Sequence, residues 1–521
     1  MKRRDFLKIG SMASLAYTMN GLPIHAYGKG LDKKTRSSLN GNILVLIRLN
    51  GGNDGLNTLI PLDKYSELSN ARANILIPQG NVLGLTGTLT TGLHPSMTAM
   101  RDLYNNGKLN IIQAVSYPDP NFSHFRSTDI MNSASDSSQY LETGWIGRFI
   151  DNRFPNAPQD YPNADFVDPL SIEIGSNVSS MLSGQNGLNG LAISNINSFY
   201  NIVNGTVDPA PNTPAGHELT YIRFIIQQTK AYTQVIEAAA QIGTNAVLYP
   251  NYRLADQLKI VARLISGGMQ TPVYIVNIGG FDTHDNQVDT ANVTLGQHAN
   301  LLKELSDSIG VFQQDLEAQS LDQKVSGCTI TEFGRRIKSN ASIGTDHGTA
   351  APMFVFGSNV NPTVIGSSPN IPSAATTNDN LPMQHDFRQV YATILSDWFD
   401  LPPSDTQSVM DGKSHAWLPI FKWATPNQEY TPRSTALSLE QNFPNPFKSH
   451  TTIRFTSEGG MAQIVLYDDM GRMLKTIYEN TVPAGTFEVS LDRETLKPGN
   501  YFYSLRVESS TTLTRKLTVI F

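Results

Sequence analysis

The chain has almost no cysteine and no long apolar run. Its single thiol, Cys328, excludes an intrachain disulfide and any cysteine-built metal knuckle. No stretch approaches the roughly 20 consecutive apolar residues a membrane-spanning helix needs, so no transmembrane helix is expected. Charge is sparse at 16% and lacks a basic excess: 39 Lys and Arg face 45 Asp and Glu, a net of −6. Nucleic-acid backbones are held by cationic surfaces, so no nucleic-acid partner is expected. Walker loops, dinucleotide fingerprints and haem motifs are absent too. What remains is a chain of 521 residues, 40% hydrophobic, long enough for two or three domains with a sizeable core. Without disulfides, its stability must come from core burial, bound metal, or both.

The N-terminus opens Met1-Lys2-Arg3-Arg4-Asp5-Phe6-Leu7-Lys8, followed by a mildly apolar stretch from Ile9 to about Leu22. Paired arginines before a short apolar run resemble the twin-arginine export signal of bacteria, with a cleavage point near Ala26. An ordinary amphipathic helix is the plainer alternative.

Farther on, continuous apolar runs alternate with helical periodicity. Ile43–Ile47, Lys108–Val115, Pro272–Ile278 and Val325–Ile330 read as buried strands. Each is followed by a loop rich in Gly, Asp, His, Ser or Glu. Between them, His217–Ile242 and Leu301–Leu316 carry apolar residues at i, i+3 and i+4. This alternation predicts an α/β fold with a central, mostly parallel sheet flanked by helices, and ligands at the carboxyl ends of the strands. After a polar, proline-containing stretch the period changes to two, as in Thr451–Phe455, Ala462–Tyr467, Thr486–Leu491, Tyr501–Val507 and Thr512–Val519, which predicts a small immunoglobulin-like β-sandwich. The organisation expected is an export segment over 1–30, an α/β domain over 40–422, a linker over 423–436 and a sandwich over 437–521.

Two resemblances add to this. Gln441-Asn442-Phe443-Pro444-Asn445-Pro446-Phe447, Tyr467-Asp468-Asp469-Met470-Gly471-Arg472, Pro498-Gly499-Asn500-Tyr501-Phe502-Tyr503 and Arg515-Lys516-Leu517 resemble the type A sorting domain of the bacterial type IX secretion system. That resemblance implies the secretion machinery as partner, and an extracellular or outer-surface destination. In the central region, Asn50-Gly51-Gly52-Asn53-Asp54-Gly55, Leu93-His94-Pro95, Ser123-His124-Phe125, Thr143-Gly144-Trp145, Gly280-Phe281-Asp282-Thr283-His284, Glu332-Phe333-Gly334-Arg335 and Gly344-Thr345-Asp346-His347-Gly348 resemble the bacterial family called domain of unknown function 1501. That family is distantly similar to the alkaline phosphatase and sulfatase superfamily. The similarity implies an alkaline phosphatase-like fold, one or two divalent metals (zinc, manganese, magnesium or calcium), a hydroxyl nucleophile, and a phosphate or sulfate ester as substrate.

Hydrolysis of such an ester needs cations to neutralise the anion and an activated oxygen nucleophile. The metal ligands expected are Asp54, Asp282, His284, Asp346, His347 and His385. Asp54 also suits a self-capping turn, the Asp282/His284 spacing is shorter than the superfamily's, and Asp346 suits a helix cap. Near His385, Asp386 and Arg388 are the more regular family residues. Ser123, ahead of Ser127 and Thr128, is the expected nucleophile at a helix start, or simply an N-cap. His124 would orient substrate or pack. Arg335 would take the anion as a bidentate fork, or pair with Glu332 at the surface. His94 reads as structural. The other functional class is a cell-surface or envelope binding protein that keeps the fold without catalysis.

Overall fold

The computed structural model describes residues 15–19, 22–26, 41–194, 231–422, 438–442, 444–457, 460–468, 472–482, 485–493, 496–507 and 513–520. The Arg3-Arg4 pair, the linker over 423–436 and the 217–230 start of the expected helix lie outside these residues. The chain divides into a unit over 1–40 and a unit over 41–521. In the first, Leu15–Met19 pairs antiparallel with Leu22–Ala26.

The apolar runs of the second unit form one nine-stranded sheet. In chain order its strands are β1 (Ile43–Asn50), β2 (Leu109–Ser116), β3 (Ile172–Ile174), β4 (Leu191–Ile193), β5 (Val273–Gly279), β6 (Val325–Thr331), β7 (Ala351–Phe356), β8 (Val364–Ile365) and β9 (His385–Asp386). Their spatial order is β8-β2-β7-β6-β1-β5-β3-β4, with β9 also beside β2. Neighbours pair in parallel, except that β7 runs antiparallel to both β6 and β2. Because β2, β6, β1 and β5 share one direction, their carboxyl ends open on one edge.

Burial explains why these segments are strands and why they lack alternation. Val45 and Ile47 of β1 join a core with Leu254, Leu258 and Val261 of the helix Arg253–Ser266 and Leu302, Leu305 and Ile309 of the helix Gln297–Ala318. The alternate residues Leu44 and Leu46 are equally buried, as in a sheet covered on both faces. Each such side chain contributes about 1.5–3 kcal/mol.

The C-terminal residues form two antiparallel sheets. One holds Ser438–Leu439, His450–Ser457 and Gly485–Asp492. The other runs Met473–Val482, Gly460–Tyr467, Gly499–Val507, Leu513–Val519. Ile453 and Phe455 from the first share a core with Ile464, Leu466, Leu505 and Leu517 from the second. Tyr503 donates its hydroxyl to the Glu440 carbonyl at 2.7 Å and accepts the Asn442 N–H at 2.8 Å, fixing the start of the Gln-Asn motif. Among the described residues no helix is long and apolar enough to cross a membrane.

Candidate metal centre

Loops leaving the common edge bring residues from four parts of the chain together. Phe122 and His124 follow β2, Asp282 and His284 follow β5, and Glu332 follows β6. Asp346 and His347 stand on the short strand Thr345–His347, which pairs with Arg335–Ser339. Gly51, at the end of β1, makes this convergence possible. Its φ is +122°, and a Cβ there would lie 2.3 Å from the Asp282 nitrogen, so only glycine fits. Its N–H donates to Glu332 Oε1 at 2.7 Å, and its carbonyl accepts from Arg335.

His124, Asp282 and His347 each offer a ligand atom within 4.8 Å of the others. Asp282 Oδ1 lies 3.2 Å from His347 Nε2 and 3.2 Å from His284 Nε2, while Oδ2 lies 3.5 Å from His124 Nε2. The Nδ1 side of every ring faces an acceptor. His347 Nδ1 donates to the Phe122 carbonyl at 2.8 Å, His124 Nδ1 faces Glu332 Oε1 at 2.9 Å, and His284 Nδ1 faces Asp346 Oδ1 at 3.3 Å. With the ring protons held at Nδ1, the Nε2 lone pairs point inward, the outer-partner arrangement that orients histidine ligands on metals. His284 Nε2 and His347 Nε2 approach to 2.9 Å. Two lone pairs at that separation repel unless a cation or proton sits with them. Tetrahedral coordination at about 2.0–2.1 Å separates ligand atoms by roughly 3.3 Å, close to the observed spacings.

The electrostatics suit a cation. Burial would raise the Asp282 carboxyl, but the Arg335 guanidinium and His347 outweigh it and hold its pKa below the ordinary value. Asp346 is lowered chiefly by the Asn340 amide. Burial lowers His347, despite the pull of the Phe122 carbonyl and Asp282. Neutral imidazole and ionised carboxylate are the protonation states that bind metal.

Behind the cluster lies a buried polar layer. Asp54 is 1% exposed. Arg72 Nη1 donates to both its oxygens at 2.9 Å, and Gln287 Nε2 donates to Oδ2 at 2.7 Å. Gln287 Oε1 accepts from the hydroxyls of Thr283 and Thr345, neighbours of Asp282 and Asp346. Burial would raise the Asp54 carboxyl, but Arg72 and His298 lower it. His298 is fully buried and faces Asn53 Oδ1 at 3.0 Å. Burial pushes His298 down to about 4 and its neighbour His94 to about 3.

A pH dependence follows. Below about pH 6.5 an unfolded chain protonates these histidines, whereas the folded chain resists until about 4 and about 3. Their contribution is complete above about pH 6.5 and is lost as pH falls toward 4, at up to about 1.4 kcal/mol per pH unit per histidine. Denaturation midpoints across this range should drop on acidification, and His298→Asn should flatten the slope. An unchanged slope in the variant would remove His298 from the account.

The structure brings together His124, Asp282, His284, Asp346 and His347, but separates the other expected residues. Asp54 is a correction: both its oxygens are engaged by Arg72, with Gln287 sharing one, so it braces the layer behind the cluster. Arg335 is a second correction. It is 1% exposed, and its nitrogens donate to the carbonyls of Gly52, Thr345, Gly51 and Phe281 and to Asp282 Oδ1. It therefore positions Asp282 instead of presenting a fork to solvent. His385 stands on β9 beside Val115; among the described residues its Nε2 has no hydrogen-bond partner, and it joins none of the cluster's contacts. Ser123 precedes the helix His124–Ser133, but its side chain makes no cap bond. His94 is buried, as a structural residue would be.

Sequence reasoning missed Glu332 as the partner of His124, although it ends a buried strand as the ligand loops do. It also missed Arg72, Gln287 and His298, which have no local signal: each is defined only by what it meets across the fold.

The fold and site define an α/β protein with a His/Asp cluster at the carboxyl edge of its sheet. Residues 230–401 match the family model described as "Protein of unknown function (DUF1501)" and residues 441–520 match "Secretion system C-terminal sorting domain". The chain thus carries a DUF1501 region and a C-terminal sorting domain. No curated protein matches it. Similar solved structures include a β-glucosidase from Listeria innocua, at 16% identity over 16% of each chain and a TM-score of 0.14. The chain thus spans about a sixth of that enzyme's length. They also include a protein in the alkaline phosphatase superfamily from Vibrio parahaemolyticus, at 10% identity over 83% of this chain and 81% of that one, TM-score 0.33. A third comes from glycosaminoglycan metabolism in Bacteroides thetaiotaomicron, at 9% identity over 85% and 92%, TM-score 0.31.

Proposed function

We propose that the chain is an exported, metal-dependent hydrolase of phosphate or sulfate esters, delivered through the type IX machinery by an immunoglobulin-like sorting domain over 437–521. Under this reading the export segment is 1–30, the catalytic domain 40–422 and the linker 423–436, and the protein works outside the cell or on its outer surface. The observation that carries the metal reading is the convergence of ligand atoms of His124, Asp282 and His347 within 4.8 Å of one another, both rings held from behind, with His284 Nε2 2.9 Å from His347 Nε2. Two imidazoles and one carboxylate suit zinc; manganese, magnesium and calcium prefer oxygen.

Such an ion would supply Lewis acidity and charge neutralisation at the ester. His124, Asp282 and His347 would hold it, with His284 beside them and Arg335 fixing Asp282. Ser123 would attack: its Oγ bonds to phosphorus or sulfur as the ester oxygen leaves and takes a proton, and water then releases the anion and restores the serine. Support for Ser123 is that its side chain makes no cap bond and that its chain neighbours Phe122 and His124 both contact the cluster.

Elemental analysis of protein folded in its native host, with aryl phosphates and aryl sulfates as substrates, tests the proposal. One divalent ion per chain and measurable hydrolysis are expected, with Ser123→Ala cutting turnover by at least about 100-fold. A metal-free, inactive native protein would end it, and unchanged turnover in the variant would dismiss Ser123. A second reading, a surface binding protein that retains the fold, is favoured by the capture of Asp54 by Arg72, which removes a ligand from any second metal.

A further inference from the structure

The four-stranded C-terminal sheet has two edges, and the chain treats them differently. Along Leu513–Val519 the outer edge is filled by the Gln-Asn motif. Gln441 Nε2 and Asn445 Nδ2 donate to the Lys516 carbonyl at 2.6 and 3.2 Å, and Asn445 Oδ1 accepts the Thr518 N–H at 2.8 Å. The Phe447 N–H donates to the Thr518 carbonyl at 3.0 Å. These bonds use up the groups that the backbone of another chain would need.

At the other edge, Met473–Val482 pairs with Gly460–Tyr467 alone among the described residues. An edge strand turns the N–H and C=O of every second residue outward. The first half of this one is irregular: register shifts leave Leu474 and Ile477 opposite no residue, a common protection of edges. The second half has no such protection. Tyr478–Val482 runs in unbroken register against Gly460–Ile464, with Glu479, Asn480 and Thr481 exposed. Large apolar side chains gather at this same edge. Met473 is 59% exposed, Leu474 45%, and Met461, opposite Thr481, 46%. Gly485–Asp492, an edge strand of the facing sheet, carries no exposed large apolar side chain among the described residues.

We infer that the outer edge of Met473–Val482 is the surface by which the secretion machinery holds the sorting domain. An extended segment of the machinery adds there as a fifth strand, with apolar side chains over Met473 and Leu474. In strand addition the backbone bonds supply affinity and the side-chain surface supplies the choice of partner. A second copy of this chain fits less well. Antiparallel pairing of the two regular halves centres on Asn480, which carries Met473 and Leu474 past the end of the opposing strand and leaves them uncovered. The inference rests on the proposed delivery through the type IX machinery and names the surface that delivery uses.

Secretion of the full-length protein in its native host tests it. Leu474→Lys puts a charge on the edge. Asn480→Pro and Thr481→Pro each remove one N–H, and because neighbours alternate, one of the two donors points outward, away from Gly460–Tyr467. Leu474→Lys, and whichever proline variant keeps the wild-type melting midpoint, should lower the exported fraction at least about tenfold, with folded protein retained inside the cell. Variants exported like the wild type would overturn the assignment and leave the delivery reading intact. A wild-type protein that is never exported would remove the delivery reading and this inference with it. Light scattering of the purified protein should show a monomer; a dimer that Leu474→Lys dissociates would give the edge to a second copy and overturn the machinery as its occupant.

Discussion

Replacing Asp282 by alanine is expected to strip the divalent ion from the protein and, with it, ester hydrolysis. Its carboxylate is the one group that touches all three inward-facing imidazole nitrogens, at 3.2, 3.2 and 3.5 Å. Losing an outer partner of a metal ligand costs roughly 10–100-fold in affinity; losing this central ligand should exceed that range. The fold should survive, because the Asp282 side chain is 47% exposed, so water can reach the edge of Arg335 that it vacates, and Arg335 keeps the carbonyls of Gly51, Gly52, Thr345 and Phe281 as acceptors. Elemental analysis and a melting curve of the same preparation check both halves. An alanine variant that still carries a full equivalent of metal would refute the centre.

Asp54→Ala should do the opposite: destabilise the α/β fold while sparing the ion. The substitution strands Arg72, whose Nε and Nη2 still reach the carbonyls of Ile337 and Arg336 but whose charge would have no counter-ion in the interior. Breaking a buried pair from one side costs about 3–5 kcal/mol. The denaturant midpoint should fall accordingly, and adding Arg72→Met should restore part of it, since exchanging both partners removes the uncompensated charge. Loss of metal without loss of stability would return Asp54 to the list of ligands.

The pair of variants bears on how much the sequence discloses. The strands at Ile43, Leu109, Val273 and Val325 are legible because fully buried parallel strands have no choice but to be continuously apolar. The loops after them are legible as chemistry-bearing because that edge is where an α/β sheet exposes its loops. Which loop residue joins the cluster is another matter. Asp54 and Asp282 each follow a buried strand in a glycine-bearing turn, and the sequence offers nothing to separate them. What separates them is Arg72, which reaches Asp54 from another part of the chain, and Gly51, whose backbone lets Asp282 approach. Likewise Arg335 and Arg336 are neighbours of one residue type, yet alternation along a strand sends the first inward and leaves the second at the rim.

The convergence of loops on Gly51 has a consequence for how the proposed ion would be acquired. His124, Asp282 and His347 are strangers along the polymer, so no fragment ending before His347 can present the whole set. Under the proposed reading, metal capture would be a late event, coincident with closure of the sheet. The ion taken would then depend on the imidazole-rich ligand set and on which divalent cation prevails in the compartment where that closure happens.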